Sequence, residues 1–429
     1  MKEGRPLRIA TLSVHACPLA PLGSWETGGM NVYIKEVSRH LSDLGVYVDV
    51  FTRQQGEHVD TVATLAERAR VIHVPAGPER YLPKDRVVEH LPEFICNMRD
   101  FIQAEDARYD VIHSHYWLSG RVAGYFKSAW RIPMVAMFHT LAELKNQVSL
   151  SEDEIESPLR VGIERMTVAT ADRVIASTAV DRGHLESHYA ADRDRVTILP
   201  CGVDLDLFHP GDTAAARQSL GLDGDRMILF VGRIQQLKGI DVLLRAARIL
   251  ADRTGVPAFR VTIVGGRPSG ERNDPELREL HRLQRLASEL GLEDRVHWIG
   301  AVDQSELPRY YQAADVTVAP STYESFGLVA LESMACGTPV VASKVGGLLT
   351  TVEDGANGFL IDGRNPADYA ERMADLIGPT SLQHHLGARA REMARQFSWE
   401  RTATQLRALY EDLSAARDRG NAPATVWQK

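Results

Sequence analysis

The sequence predicts an α/β protein of two doubly wound parallel sheets facing each other across a cleft. Three observations carry this expectation. Short β-branched runs alternate with amphipathic segments of helix length along the whole chain. The alternation occurs as two series. Between them stands Pro200-Cys201-Gly202-Val203-Asp204, followed by Phe208-His209-Pro210-Gly211-Asp212, a break rich in proline and glycine that reads as a linker.

In the first series, strands are expected over 9–14, 47–52, 70–74, 111–114, 134–138, 174–177 and 196–199. After the first strand, Val32, Val37, Leu41 and Leu44 recur at near-helical spacing, and Gly45 stops that helix. The second series is expected over 227–231, 260–264, 296–299, 316–319, 339–342 and 359–361. Strands joined by helical crossovers lie parallel and are covered on both faces. The expected domains are 1–203 and 204–398. A last helix over 399–413 has Ser398 as its N-cap, and 414–429, with Asp418-Arg419-Gly420-Asn421-Ala422-Pro423, reads as a frayed tail. No repeat of 20–50 residues is visible.

Of 429 residues, 44% are hydrophobic and 25% charged, which excludes wholesale disorder. The balance of 49 basic and 57 acidic side chains, net −8, argues against a nucleic-acid partner but leaves room for a local phosphate pocket. No apolar run reaches the roughly 18–20 residues that a membrane span needs. The apolar stretch 7–14 lacks a small-residue cleavage site and reads as a first strand rather than a signal peptide. Cys17, Cys96, Cys201 and Cys336 are scattered without a CxxC pair, so neither a disulfide nor a zinc site is expected. The expected compartment is the cytoplasm. The oligomeric state is left open, with a homodimer as one option.

Open parallel sheets bind ligands at the carboxyl ends of their strands, and the chemistry-bearing residues cluster there. Gly28-Gly29-Met30-Asn31 opens the first helix; it suits an anion at a helix N-terminus, or is merely a flexible turn. Arg233 ends a buried strand and Lys238 follows five residues later, a pair suited to a diphosphate although the GxxxxGK[ST] loop is absent. Ser325, Phe326, Gly327 and Leu328 lead into a helix, with Glu324 before them and Glu332 on it. Eight helical residues span ~12 Å, so these carboxylates cannot share one proton but could hold hydroxyls at two ends of a ligand. His113, His115 and His139 close two strands; alternating histidines suit metal ligands, but no third ligand is placed, and packed or hydrogen-bonded histidines are the simpler reading. Lys84 and Arg160, taken alone, read as surface cations.

These pieces together resemble family 4 of the retaining glycosyltransferases, with the GT-B fold of two facing Rossmann-like domains. The resemblance rests on Gly28-Gly29-Met30-Asn31-Val32-Tyr33, His113-Ser114-His115-Tyr116-Trp117, His139-Thr140, Val231-Gly232-Arg233 with Lys238-Gly239, Glu324 through Glu332, Gly337-Thr338-Pro339-Val340-Val341 and Gly346-Gly347, and covers 7–413. It implies α-retaining transfer of a hexosyl group, glucose or N-acetylglucosamine, from a nucleotide sugar, with UDP as the expected carrier. Arg233 and Lys238 would hold the diphosphate, Glu332 the ribose, and Glu324 the sugar hydroxyls. The Ser325–Leu328 stretch would contact sugar and phosphate, Gly29 would face the diphosphate, and His139 would lie near the reacting centre. No cofactor is required, and no DxD metal motif stands in a suitable loop. The helix over 399–413 would pack back on the first domain, as in GT-B relatives.

Within the family, the first half is most similar to the branch that glycosylates inositol phosphate. That resemblance implies an acceptor phosphate held by Lys84, Tyr116, Thr140 and Arg160, with Asn31 also on the acceptor side. The branch that makes sucrose phosphate from UDP-glucose and fructose 6-phosphate has a similar pocket and is the alternative. No match for that first branch's base-contacting arginine stands in Gly300-Ala301-Val302-Asp303. Two further classes share a two-domain cleft. A nucleotide-sugar 2-epimerase would need acid/base carboxylates in the first domain and no acceptor pocket. A periplasmic sugar-binding protein would need a signal peptide.

Overall fold

The computed structural model describes residues 5–21, 27–56, 59–149, 155–222, 224–266, 274–378 and 380–420. The first sheet contains β1 (Arg8–Leu12), β2 (Tyr47–Arg53), β3 (Val62–Ala66), β4 (Ala69–Val74), β5 (Val111–His115), β6 (Met134–Met137), β7 (Arg173–Ala176) and β8 (Val196–Ile198), in the order β3-β4-β2-β1-β5-β6-β7-β8. The second contains β9 (Arg226–Val231), β10 (Phe259–Val264), β11 (Val296–Gly300), β12 (Val316–Ala319), β13 (Val340–Ser343) and β14 (Gly358–Ile361), in the order β11-β10-β9-β12-β13-β14. Both are doubly wound Rossmann-like sheets covered by helices. Val111, Val135, Met227 and Leu229 are fully or almost fully buried, as strands covered on both faces require.

One strand departs from the all-parallel expectation. β3 pairs antiparallel with β4 at the sheet edge and was not foreseen. Its side chains are half exposed, and the Glu67-Arg68 turn carries no Asn-Gly or Asp-Gly signal.

Three aspartates just ahead of their strands share one device. Asp110, Asp172 and Asp315 each accept a backbone N–H at the start of a neighbouring strand, from Arg8, Met134 and Met227, at 2.9, 2.8 and 2.6 Å. Each also pairs with a cation, Arg5, Lys127 and Arg217 respectively. The strands are thereby fixed at their amino ends, leaving the carboxyl-end loops to build a site.

The chain crosses between the sheets twice, and the two crossings touch. Val203 N–H donates to the Phe397 carbonyl at 3.1 Å, and a Cβ on Gly202 would collide with the Trp399 backbone. The last helix, Trp399–Gly420, is started by Ser398, whose Oγ accepts from Arg401 N–H. It lies against the first sheet's helix Gly29–Asp43, and Arg407 donates to the Leu44 carbonyl at 3.0 Å. It runs seven residues past the expected end at 413, because Ala415 and Ala416 are strong helix formers. The expected tail is therefore helical to Gly420, and 421–429 lie outside the described residues. No helix among the described residues is long and apolar enough to cross a membrane. The four cysteines are free.

Candidate active site

The carboxyl ends of β1, β5 and β6 face those of β9 and β12 across a cleft of about 430 Å³. On the first side, Gly28 and Gly29 begin the helix Gly29–Asp43. A Cβ on Gly29 would come within 3.2 Å of Leu328 across the cleft, so the glycine permits this approach. Asn31 does not line the cleft. Its side chain accepts from Gly28 N–H at 3.0 Å and donates to the Cys17 carbonyl at 2.8 Å, so it shapes the glycine loop.

On the second side, Arg233 and Lys238 follow β9. Arg233 lies 3.5 Å from Glu276, whose carboxylate also accepts from Ile234 N–H. Lys238 Nζ donates to Glu324 at 2.7 Å. A lysine ammonium has three protons and can keep this partner while taking a phosphate oxygen. Gly239 and Gly327, at φ +70 and +88, are the N-caps of the helices Ile240–Ala251 and Leu328–Ala335. A Cβ on Gly346 would strike the Glu324 carbonyl, and one on Gly347 would crowd Phe326, so both glycines admit the donor-side loop. Glu332 is buried and accepts from Tyr311 Oη at 2.8 Å. Burial pushes its carboxyl up to about 7, against the opposing pull of that hydrogen bond.

Just past the carboxyl ends of β5 and β6, two residues hold left-handed backbone, Tyr116 at φ +75 and His139 at φ +61. Such conformations cost a non-glycine residue about 1–3 kcal/mol and collect at functional sites. His139 Nε2 is 2.9 Å from His115 Nδ1, and His113 Nδ1 is 2.6 Å from Tyr410 Oη on the last helix. Loss of water contact holds His113 and His139 at about 3, so both are neutral imidazoles near neutral pH. The simpler reading of the histidines matches this geometry: packed, hydrogen-bonded rings. No group of three or more potential metal ligands is found among the described residues.

Lys84, Tyr116, Thr140 and Arg160 converge, although they come from four separate segments. Arg160 is fully buried rather than on the surface. Its Nε donates to Glu164 at 2.7 Å and Nη1 to Tyr116 Oη at 2.7 Å. Its Nη2 donates to the carbonyl and hydroxyl of Thr140 at 3.0 and 3.1 Å. Arg160 thus does not line the cleft but aims two hydroxyl-bearing residues that do. Lys84 lines the cleft and donates to Glu156 at 2.9 Å.

Reasoning from sequence missed three participants here. Glu156 bridges Lys84, Lys145 and Arg160. Burial pushes its carboxyl up, but the three cations outweigh that and hold it at about 2. Lys145 and His15 line the cleft beside Lys84. His15 is on the loop after β1, where the strand-end rule could have found it. Lys145 lies five residues past Thr140 and has no local signal.

Residues 27–207 match the model of Glycosyltransferase Family 4, and residues 212–393 that of Glycosyl transferases group 1. The D-inositol 3-phosphate glycosyltransferase of Geodermatophilus obscurus is 46% identical over 431 aligned residues, covering 98% of this chain and 93% of that enzyme. D-inositol 3-phosphate glycosyltransferase 2 of Catenulispora acidiphila is 45% identical, covering 97% and 98%. Among solved structures, the sucrose-phosphate synthase of Thermosynechococcus elongatus superposes with a TM-score of 0.88 at 34% identity, covering 96% of this chain and all of that one. The two facing sheets are the GT-B architecture, and the chain belongs to glycosyltransferase family 4.

Proposed function

We propose that this enzyme moves a hexosyl group, glucose or N-acetylglucosamine, from a UDP-sugar to inositol phosphate with retention at the anomeric carbon, in the cytoplasm. One observation carries the reading. A single cleft has phosphate-binding chemistry on both walls, Arg233 and Lys238 on one and Lys84, Tyr116 and Thr140 on the other. Two anionic substrates meeting head to head need such a cleft. The near-full-length similarity to enzymes named for inositol 3-phosphate favours that acceptor.

The donor's C1–O bond breaks as the diphosphate leaves. Negative charge then grows on the leaving oxygen, where Arg233, Lys238 and the N–H groups at Gly327 and Leu328 stabilise it. Glu332 accepts from the ribose hydroxyls and Glu324 from the sugar. Gly29 approaches the diphosphate from the facing wall, and His139 flanks the reacting carbon. The acceptor attacks from the face the phosphate leaves, and a donor phosphate oxygen takes its proton, so no side chain is assigned as base. Lys84, Tyr116 and Thr140 orient the acceptor phosphate, with Arg160 behind the two hydroxyls. The half 1–203 serves the acceptor and 204–398 the donor, and closure about 201–210 excludes water that would hydrolyse the donor.

The 34% identity to a sucrose-phosphate synthase favours a second reading, UDP-glucose with fructose 6-phosphate. One assay separates them. UDP release is followed with UDP-glucose or UDP-N-acetylglucosamine and either inositol 3-phosphate, fructose 6-phosphate, or the unphosphorylated forms. Release with inositol 3-phosphate but not with inositol is the expected result. Turnover with fructose 6-phosphate alone would replace it by the second reading, and conversion of the donor into another UDP-sugar without acceptor, read by NMR of the nucleotide sugar, would point to epimerisation.

A further inference from the structure

The segment 139–143, which carries His139 and Thr140, is gripped from two sides. From its own half, Arg160 holds both Thr140 oxygens, and Glu164 accepts from Ala142 N–H at 3.0 Å. From the facing half come Tyr323 and Ser325, neighbours of Glu324. The Tyr323 ring belongs to the apolar cluster of the first half, with Phe138, Leu141 and Leu185. Its hydroxyl accepts from Leu141 N–H at 3.3 Å and lies 3.3 Å from Ser325 Oγ, which donates to the His139 carbonyl. Burial pushes the phenol well above its ordinary range, so it keeps its proton. It can then donate to Ser325, leaving the serine proton for His139, so that each proton is used once.

We propose that Tyr323 is a positioning residue, a strut from the donor-side loop that holds His139 and Thr140 in place and thereby couples the two subsites. The proposal rests on the assignment of donor and acceptor walls given above. Ordering of the Glu324 loop by a nucleotide then orders 139–143, and by reciprocity an acceptor phosphate favours the donor-bound loop. Neither Tyr323 nor the Leu141 amide takes part in the chemistry proposed above.

The test is backbone amide exchange in the full chain and in Tyr323→Phe, each with and without UDP. The substitution keeps the ring and deletes only the hydroxyl. Without ligand, exchange across 139–143 should rise about 3- to 10-fold, the loss of one net hydrogen bond. UDP should protect 323–332 in both proteins but 139–143 in the wild type only. Unchanged exchange in 139–143, equal protection of that segment by UDP in both proteins, or a uniform rise that includes β9 and β10 would each overturn the strut. If UDP protects neither segment of the wild type, the nucleotide assignment fails instead, and the ligand-free comparison still decides the strut. Ser325→Ala, which deletes the donor to the His139 carbonyl, is the second variant and should loosen the same segment.

Discussion

Acidification from about pH 6.5 to 5 should destabilise this protein with a slope set by the histidines at the carboxyl edge of the first sheet. Loss of water contact holds His15, His113 and His139 at about 3, and His115 well below its ordinary 6.5. All four are neutral in the folded chain, whereas the unfolded chain takes up four protons as the pH falls past 6.5. Their stabilisation is complete above 6.5 and is lost on the way down to about 3. Each loses about 1.4 kcal/mol per pH unit in that window. Buried carboxyls oppose them. Burial raises Glu332 and Asp181 to about 7, so their stabilising effect is present at low pH and lost as the pH rises through 7. These six groups by themselves leave a net two protons, about 2.7 kcal/mol per pH unit between roughly pH 6 and 5; burial also lowers His40, His184 and His297, which adds to the slope, and raises Glu276, which subtracts from it. That is a large fraction of the ~5–15 kcal/mol that holds a domain folded. Urea unfolding at fixed ionic strength, from pH 7 to 5, measures the slope. His113→Leu removes one of the four protons and should cut the slope by about 1.4 kcal/mol per pH unit. A flat profile, or an unchanged slope in that variant, would refute the reasoning.

Three further outcomes follow from the cleft. Lys238→Ala should lower kcat about 10²–10³-fold while leaving the circular dichroism spectrum unchanged; near-normal turnover would remove Lys238 from the leaving-group site. Lys84→Ala should raise the KM for a phosphorylated acceptor about tenfold or more with little effect on the donor KM; an equal rise in both would show that the acceptor phosphate lies elsewhere. Donor affinity should strengthen as the pH rises through about 7, because the Glu332 carboxyl must ionise to accept from ribose. Calorimetric titration with UDP-glucose, whose diphosphate loses no proton near pH 7, measures this without acceptor present, and Glu332→Gln should abolish the dependence.

Both doubly wound sheets were legible in the sequence because covered parallel strands leave a strong mark. Runs such as Met227-Ile228-Leu229-Phe230-Val231 can only be buried on both faces. β3 was not legible, since an edge strand paired on one side needs little hydrophobicity. The donor side could also be read locally. Arg233 with Lys238, and Glu324 with Glu332, lie within short stretches whose strand-loop-helix context is set by neighbouring residues.

The acceptor side belongs to tertiary structure. Lys84, Tyr116, Thr140, Lys145, Glu156 and Arg160 come from separate loops and helices between 84 and 160, and each alone resembles an ordinary solvated side chain. Only the stacking order β1-β5-β6-β7 brings them together. Burial then changes what they are: Arg160 becomes an internal support for Tyr116 and Thr140, and Asn31 a brace for the glycine loop. Tyr323 is the extreme case. Its sequence neighbours place it beside Glu324, while its ring packs into the opposite half. Composition and periodicity determine which segments become strands and helices because those signals act over a few residues. Which side chains share a water-poor space, and with what charge, is decided by packing between segments that are not neighbours in the sequence.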